Sequence, residues 1–314
     1  MADAKVVAQT CTAAAADDQR IEPYPNRVTQ LGTLSIFRAL PLRGRRLVGP
    51  WCFLDRYGPL SFTEGKPMDV APHPHIGLQT VTWLVQGEVA HKDSLGYESV
   101  LRPGGVNVMT SGFAIAHAEE TPPDHSGRLE GVQLWVALRE SRRHGPPEFQ
   151  HLEEVPRLEL PGGDVLVFAG SLAGASSAAH HFSEIVGAEL KVRRGGALDL
   201  PLDERHEHAV LVLSGSVMLQ RVGLEVNTLY YLGTGRSELA LSSQPGARLL
   251  LIGGPPFPEK VLMWWNFVAR TAHEIADARA AWEAHERFGE VKTYRGLRLE
   301  APPLTRFAPA NPGS

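Results

Sequence analysis

Cysteine is almost absent: of 314 residues, only Cys11 and Cys52 carry a thiol. Two cysteines cannot build a disulfide framework, and a reducing compartment fits. Also missing is any stretch approaching the ~20 consecutive apolar residues that a membrane-spanning helix needs. There is no basic surplus either, since 31 Lys and Arg stand against 35 Asp and Glu, a net charge of −4. That balance argues against nonspecific or direct nucleic-acid binding. Residues 1–20 contain an Ala13–Ala16 run, but Asp3, Lys5, Asp17 and Asp18 surround it. No basic segment precedes an apolar core there, so no secretory leader is read and a cytoplasmic location is expected. No Gly-x-Ser-x-Gly nucleophile turn occurs, nor a phosphate-cradling glycine loop ending in Lys-Ser/Thr. Cys52 lies in Pro50-Trp51-Cys52-Phe53, an apolar setting that predicts a buried, inert thiol.

What the chain does have is punctuation: 31 Gly and 24 Pro break it into short segments. Several are rich in Val, Leu, Thr and aromatics, at 78–85, 87–91, 131–138, 165–169, 209–213, 217–221 and 247–252. Short strands separated by turn residues predict a sandwich or barrel rather than βαβ units. The strand-turn-strand run 81–89 recurs at 209–217, each preceded by a His-x-His, His73/His75 and His206/His208. With a length suited to two domains, the repeat predicts a duplicated β-barrel. The division expected is a flexible tail at 1–20, a first barrel with a metal site at 21–145 and a linker at 146–163. A second, metal-free barrel with a helix at 164–290 and a C-terminal tail at 291–314 complete it. Thr271-Ala272-His273-Glu274 has the form of a capping box, with Gly289 as the stop. Ile275, Ala278, Trp282 and Phe288 would form the apolar stripe of that helix against a barrel.

Pro72-His73-Pro74-His75 and Phe113-Ala114-Ile115-Ala116-His117-Ala118-Glu119 carry the chemistry. Each places potential ligands at i and i+2, which in a strand share a face. If the two strands face each other, His73, His75, His117 and Glu119 converge inside a barrel. Three imidazoles and one carboxylate suit a divalent transition metal and leave positions open for water, O2 or a chelating substrate. Glu119 is expected to be ionised at neutral pH. Parity also assigns Gln79, Val81 and Trp83 to the His73/His75 face, so Gln79 reads as an uncharged hydrogen-bond partner or pocket-lining group. In the second segment the ligands and large residues would point inward and only the alanine methyls outward. His91, His125 and His144 each stand alone and read as non-ligands, with His91 and Asp93 at most rimming the pocket. Gln133 could face core or pocket. No histidine occurs between 230 and 252, so His206/His208 has no partner segment and reads as a relic or polar lining.

Asp55-Arg56-Tyr57-Gly58-Pro59, the run 71–82, Gly87-Glu88-Val89-Ala90-His91-Lys92-Asp93-Ser94 and the run 103–110 resemble the pirin family within the cupin superfamily. His117-Ala118-Glu119 and the run 131–136 match it too; the likeness is close over 20–140 and looser to about 290. It implies an all-β bicupin, two antiparallel jelly-roll β-barrels packed together with a short C-terminal helix. It further implies that His73, His75, His117 and Glu119 hold one divalent transition metal, Fe(II) being expected. The activity implied is that of a quercetin 2,3-dioxygenase, which opens a flavonol or similar small aromatic with O2 and releases carbon monoxide. A metal- or redox-dependent protein-interaction or transcriptional co-regulator role without turnover is the alternative, and an unrelated substrate a third. Gln79 departs from the pattern, which often has Glu there; that would remove an acid/base group or fifth ligand.

Overall fold

The computed structural model describes residues 21–31 and 34–304; Cys11, the expected N-terminal tail and the end of the expected C-terminal tail lie outside them. The regular structure of the described chain is almost entirely strand, with one α-helix, Ala272–Glu283. All seven strands expected from local composition are present, the clearest being Leu78–Gly87, Arg128–Ala137, Glu207–Gly215 and Ala247–Gly254.

Each barrel is a large sheet folded against a four-stranded one. In the first, seven strands run in the order Glu148–Leu152, Val106–Thr110, Leu78–Gly87, Arg128–Ala137, Trp51–Ser61, Leu34–Leu40 and Arg27–Leu31. Its smaller sheet runs Asp69–His75, Ile115–Glu120, Val89–Asp93 and Glu98–Leu101. The two large sheets pack on each other: Val81, Trp83, Val132, Leu134 and Val136 share a core with Phe168, Ala209, Leu211, Leu250 and Ile252. Trp83 stacks on Phe168 at 5.1 Å and donates its indole N–H to Glu189 Oε2 at 2.7 Å. The packing of the two barrels on each other is therefore fixed by apolar burial, with the Trp83 indole N–H partnered across it.

The division differs from the expected one at three places. Strand Glu22–Pro25 pairs with Thr228–Gly233 of the second barrel. The helix and the hairpin of Leu262–Trp264 and Phe267–Ala269 pack instead on the first barrel's small sheet, with Ile76, Ala114, Ala116 and Ala118. The alanine methyls do turn away from the ligand side, but they are not left bare: Trp264, Phe267 and Trp282 cover them, and small side chains are what let this segment lie so close. The expected linker contains two strands, Glu148–Leu152 and Arg157–Leu160, one on an outer edge of each large sheet. Proline runs are compatible with such edges, where a missing N–H costs no ladder bond.

Thr271 caps the helix by accepting from Glu274 N at 3.2 Å, and Ile275, Ala278 and Trp282 are its buried stripe. The helix stops at a cap on Ala284, five residues before Gly289; Phe288 is buried but lies beyond it. Residues 291–304 form no regular element, yet Val291 and Ala301 are buried and Leu299 N donates to Pro72 O.

Candidate metal centre

His73 and His75 end strand Asp69–His75, and His117 and Glu119 lie on Ile115–Glu120. These strands do not face each other across the barrel; they are antiparallel neighbours in one sheet, with His117 directly opposite His73 and Ile115 opposite His75. A register shift between His117 and Glu119 accompanies the end of the ligand cluster. The nitrogen donors of His73, His75 and His117 lie within 4.8 Å of one another, the one such trio of metal-binding groups among the described residues. All three rings are buried, and His75 Nε2 lies 3.0 Å from His117 Nε2.

The hydrogen bonds decide which nitrogens are available. His73 Nδ1 lies 3.0 Å from the Ala71 carbonyl and His75 Nδ1 3.0 Å from the Asn266 carbonyl. A carbonyl only accepts, so both Nδ1 atoms carry the proton and both Nε2 atoms present lone pairs. Asn266 comes from the C-terminal hairpin, so the distant end of the chain orients a residue of the first barrel. Burial, reinforced by the neighbouring imidazoles, holds all three rings neutral: the His73 pKa falls to about 4, and those of His75 and His117 drop well below the ordinary value. A separation near 3 Å between two lone-pair nitrogens is what ligands about 2.1 Å from one ion and at right angles to each other would show. The donor set therefore fits a divalent transition metal.

Glu119 is buried beside this trio but outside it, accepting from Thr82 Oγ1 at 3.3 Å. Burial pushes its carboxyl up to about 7, so without a cation it is not the fully ionised group expected. Thr82 also lies 2.9 Å from Gln133 Oε1, which places Gln133 on the site side. The Tyr57 hydroxyl, buried and without a hydrogen-bond partner, has its pKa raised by burial and then by the charge of Glu119.

Gln79 is not on the ligand face. Gly77 adopts φ +70° between the two strands, in a spot where a Cβ would run into the Val268 carbonyl oxygen. The turn inverts the parity, so Thr80 and Thr82 share the site side with Trp135 and Gln133 opposite them. Gln79 turns with Val81 and Trp83 towards the second barrel, donating to Thr110 Oγ1 and His180 O, with His181 Nδ1 3.3 Å from its Oε1. A glutamine here removes no acid/base group from the metal centre.

His91 and Asp93 are more than a rim. Both are buried, and His91 Nδ1 lies 3.4 Å from His117 Nδ1. The i, i+2 spacing of these two residues was the sequence signal for them, identical in form to the ligand pairs. In the second barrel, His206 and His208 line a cleft with Glu184 and Asp203, while Val210, Val212, Leu198, Leu200, Leu239 and Leu241 fill the interior.

Two family models match the chain: Pirin over residues 33–136 and the Pirin C-terminal cupin domain over 187–289. A Pseudomonas aeruginosa protein provisionally named quercetin 2,3-dioxygenase is 45% identical over 274 residues, covering 87% of each chain. The crystal structure of a quercetin 2,3-dioxygenase from Acinetobacter baumannii superposes with a TM-score of 0.87 at 39% identity, over 91% of this chain and 96% of that one. A bacterial pirin from Escherichia coli, solved in complex with nickel(II), shares the fold at a TM-score of 0.61 and 14% identity, over 76% and 100%.

Proposed function

The chain belongs to the pirin family of bicupins, and on that premise we propose that it is a metal-dependent dioxygenase of the quercetin 2,3-dioxygenase type. His73, His75, His117 and Glu119 would hold one divalent transition metal, with Fe(II) the expected ion. The convergence of three buried, neutral imidazoles beside one buried carboxyl is the observation that carries this reading.

Bound there, the metal would act as Lewis acid and redox centre for O2 and a phenolic oxygen. Three neutral imidazoles and one carboxylate leave a divalent ion with a single net positive charge, which favours a deprotonated hydroxyl over a neutral one. Burial of the donors strengthens that preference by keeping water away from them. Trp135 stands edge-on to His75 at 5.3 Å and stacks on Phe53 at 4.0 Å, fixing an aromatic wall beside the ligands. A planar flavonol or similar small aromatic is the class of substrate such a wall suits.

The test is anaerobic loading with Fe(II), addition of quercetin, then air. Release of carbon monoxide with the ring-opened depside is expected. Loaded protein that binds metal and yields neither product would sink the dioxygenase reading while leaving the metal centre standing.

A further inference from the structure

The geometry points to His91 and Asp93 as a positioning relay that sets the tautomer of His117, so that its Nε2 faces the metal as a bare lone pair. The inference rests on the metal reading above, but the relay itself is a property of the metal-free chain.

Asp93, His91 and His117 lie on adjacent antiparallel strands, with His117 opposite Asp93 and Glu119 opposite His91. Asp93 Oδ2 is 3.2 Å from His91 Nε2, and His91 Nδ1 is 3.4 Å from His117 Nδ1. With both of these contacts read as hydrogen bonds and the 3.0 Å approach of His75 Nε2 to His117 Nε2 read as two lone pairs turned to the metal's place, proton counting along this line has one solution for a carboxylate and two neutral rings. The carboxylate only accepts, so His91 Nε2 carries that ring's single proton. His91 Nδ1 is then an acceptor, and the hydrogen between the rings must belong to His117 Nδ1. Nothing is left on His117 Nε2. That is the state the Ala71 and Asn266 carbonyls impose on His73 and His75. All three Nε2 atoms are then bare, although only two of the ligands have a backbone carbonyl to fix them.

The relay is held in place from both ends. Asp93 Oδ1 accepts from Leu95 N at 2.9 Å and from Tyr97 N at 3.0 Å, which anchors the carboxylate in the turn after its strand. The His91 ring lies flat on Phe149, centroids 4.1 Å apart and planes 2° from parallel, so it cannot swing away from His117. Phe149 sits on the edge strand Glu148–Leu152 of the other sheet. One strand of each sheet thus contributes to orienting a single imidazole.

Asp93→Asn inverts the relay with little change in shape. Its oxygen must stay where Leu95 N and Tyr97 N donate, so the amide NH2 takes the position of Oδ2. It then donates to His91 Nε2, the His91 proton moves to Nδ1, and the His117 proton moves to Nε2, the nitrogen needed for the metal. Ring-nitrogen correlation NMR on metal-free protein reads the tautomers directly, and zinc(II), used as probe metal in competition with a chromophoric chelator, reads the affinity. Expected are His117 protonated on Nδ1 in the wild type, on Nε2 in Asp93→Asn, and zinc affinity roughly 10–100-fold weaker in the variant. Wild-type His117 protonated on Nε2 would overturn the relay even if the variant failed to fold. So would an unchanged tautomer together with unchanged affinity in the variant. A wild type with the expected tautomer that does not bind zinc would instead refute the metal reading and leave the relay intact.

Discussion

The two barrels share an architecture and differ in what fills them. The second encloses Val165, Val167, Leu190, Leu198, Leu200, Val210, Leu239 and Leu241 in an apolar interior. The first has an apolar end, with Leu34, Leu84, Leu101 and Leu129, and a polar one that buries four imidazoles, two carboxyls and the threonines Thr80 and Thr82. Burying polar groups without partners costs stability, whereas each fully buried Leu or Val contributes roughly 1.5–3 kcal/mol. The same barrel therefore serves once as a stable apolar core and once as a preorganised donor cluster. The chain ends are exchanged to support the second use: the C-terminal hairpin and helix leave the apolar barrel to brace the polar one.

That contrast can be pressed experimentally. The largest effect is expected for Glu119→Gln, which keeps the shape and removes the charge. Carbon monoxide release from quercetin should fall at least ~100-fold, about 2.7 kcal/mol of barrier. Turnover equal to wild type would remove Glu119 from the donor set.

Chelation should separate the barrels next. Removing a metal held at a thousandfold above its Kd costs about 4 kcal/mol. Amide exchange should quicken in Asp69–His75 and Ile115–Glu120 and stay unchanged in Glu207–Gly215; equal quickening in both barrels would contradict a one-barrel site.

Acid should weaken the metal-free protein. Folded His73 titrates at about 4 and the unfolded residue near 6.5, so below 6.5 the unfolded chain takes up a proton that the folded one refuses. Stability is thus lost as pH falls from 6.5 to 4, by about 3 kcal/mol for this ring alone, and His75 and His117 add to it with the same sign. Glu119 works the other way, since its raised pKa stabilises the fold most below 4.5 and loses that contribution as pH rises through about 7. Three rings outweigh one carboxyl, so a lower Tm at pH 5 than at pH 7 is expected; an unchanged Tm would contradict the buried neutral imidazoles.

The smallest effect belongs to the second barrel. His208 is buried with Nδ1 unpartnered, so His208→Leu should change stability by no more than about 1 kcal/mol and leave metal content alone. Loss of metal in that variant would erase the distinction between the barrels.

Much of this was legible beforehand because strands have period 2. The pairs His73/His75 and His117/Glu119 announced a shared face without any structure, and the recurrence of 81–89 at 209–217 announced two barrels. The placement of Gln79 was not legible, because one glycine at positive φ between the strands inverts parity and nothing local says which side follows. Nor was the orientation of His75 by Asn266, 191 residues away and acting through a backbone carbonyl that any residue type would supply. His91 and Asp93 had the right spacing but no partner segment until strand order brought them beside His117.

The central claim is a single metal centre built on the first barrel's histidines. Metal-to-protein ratios of the wild type, His75→Ala and His206→Ala, purified side by side, test it most directly. About one metal per chain is predicted for the wild type and His206→Ala, and close to none for His75→Ala. A His75→Ala protein that is folded and still carries the wild-type amount of metal would contradict it.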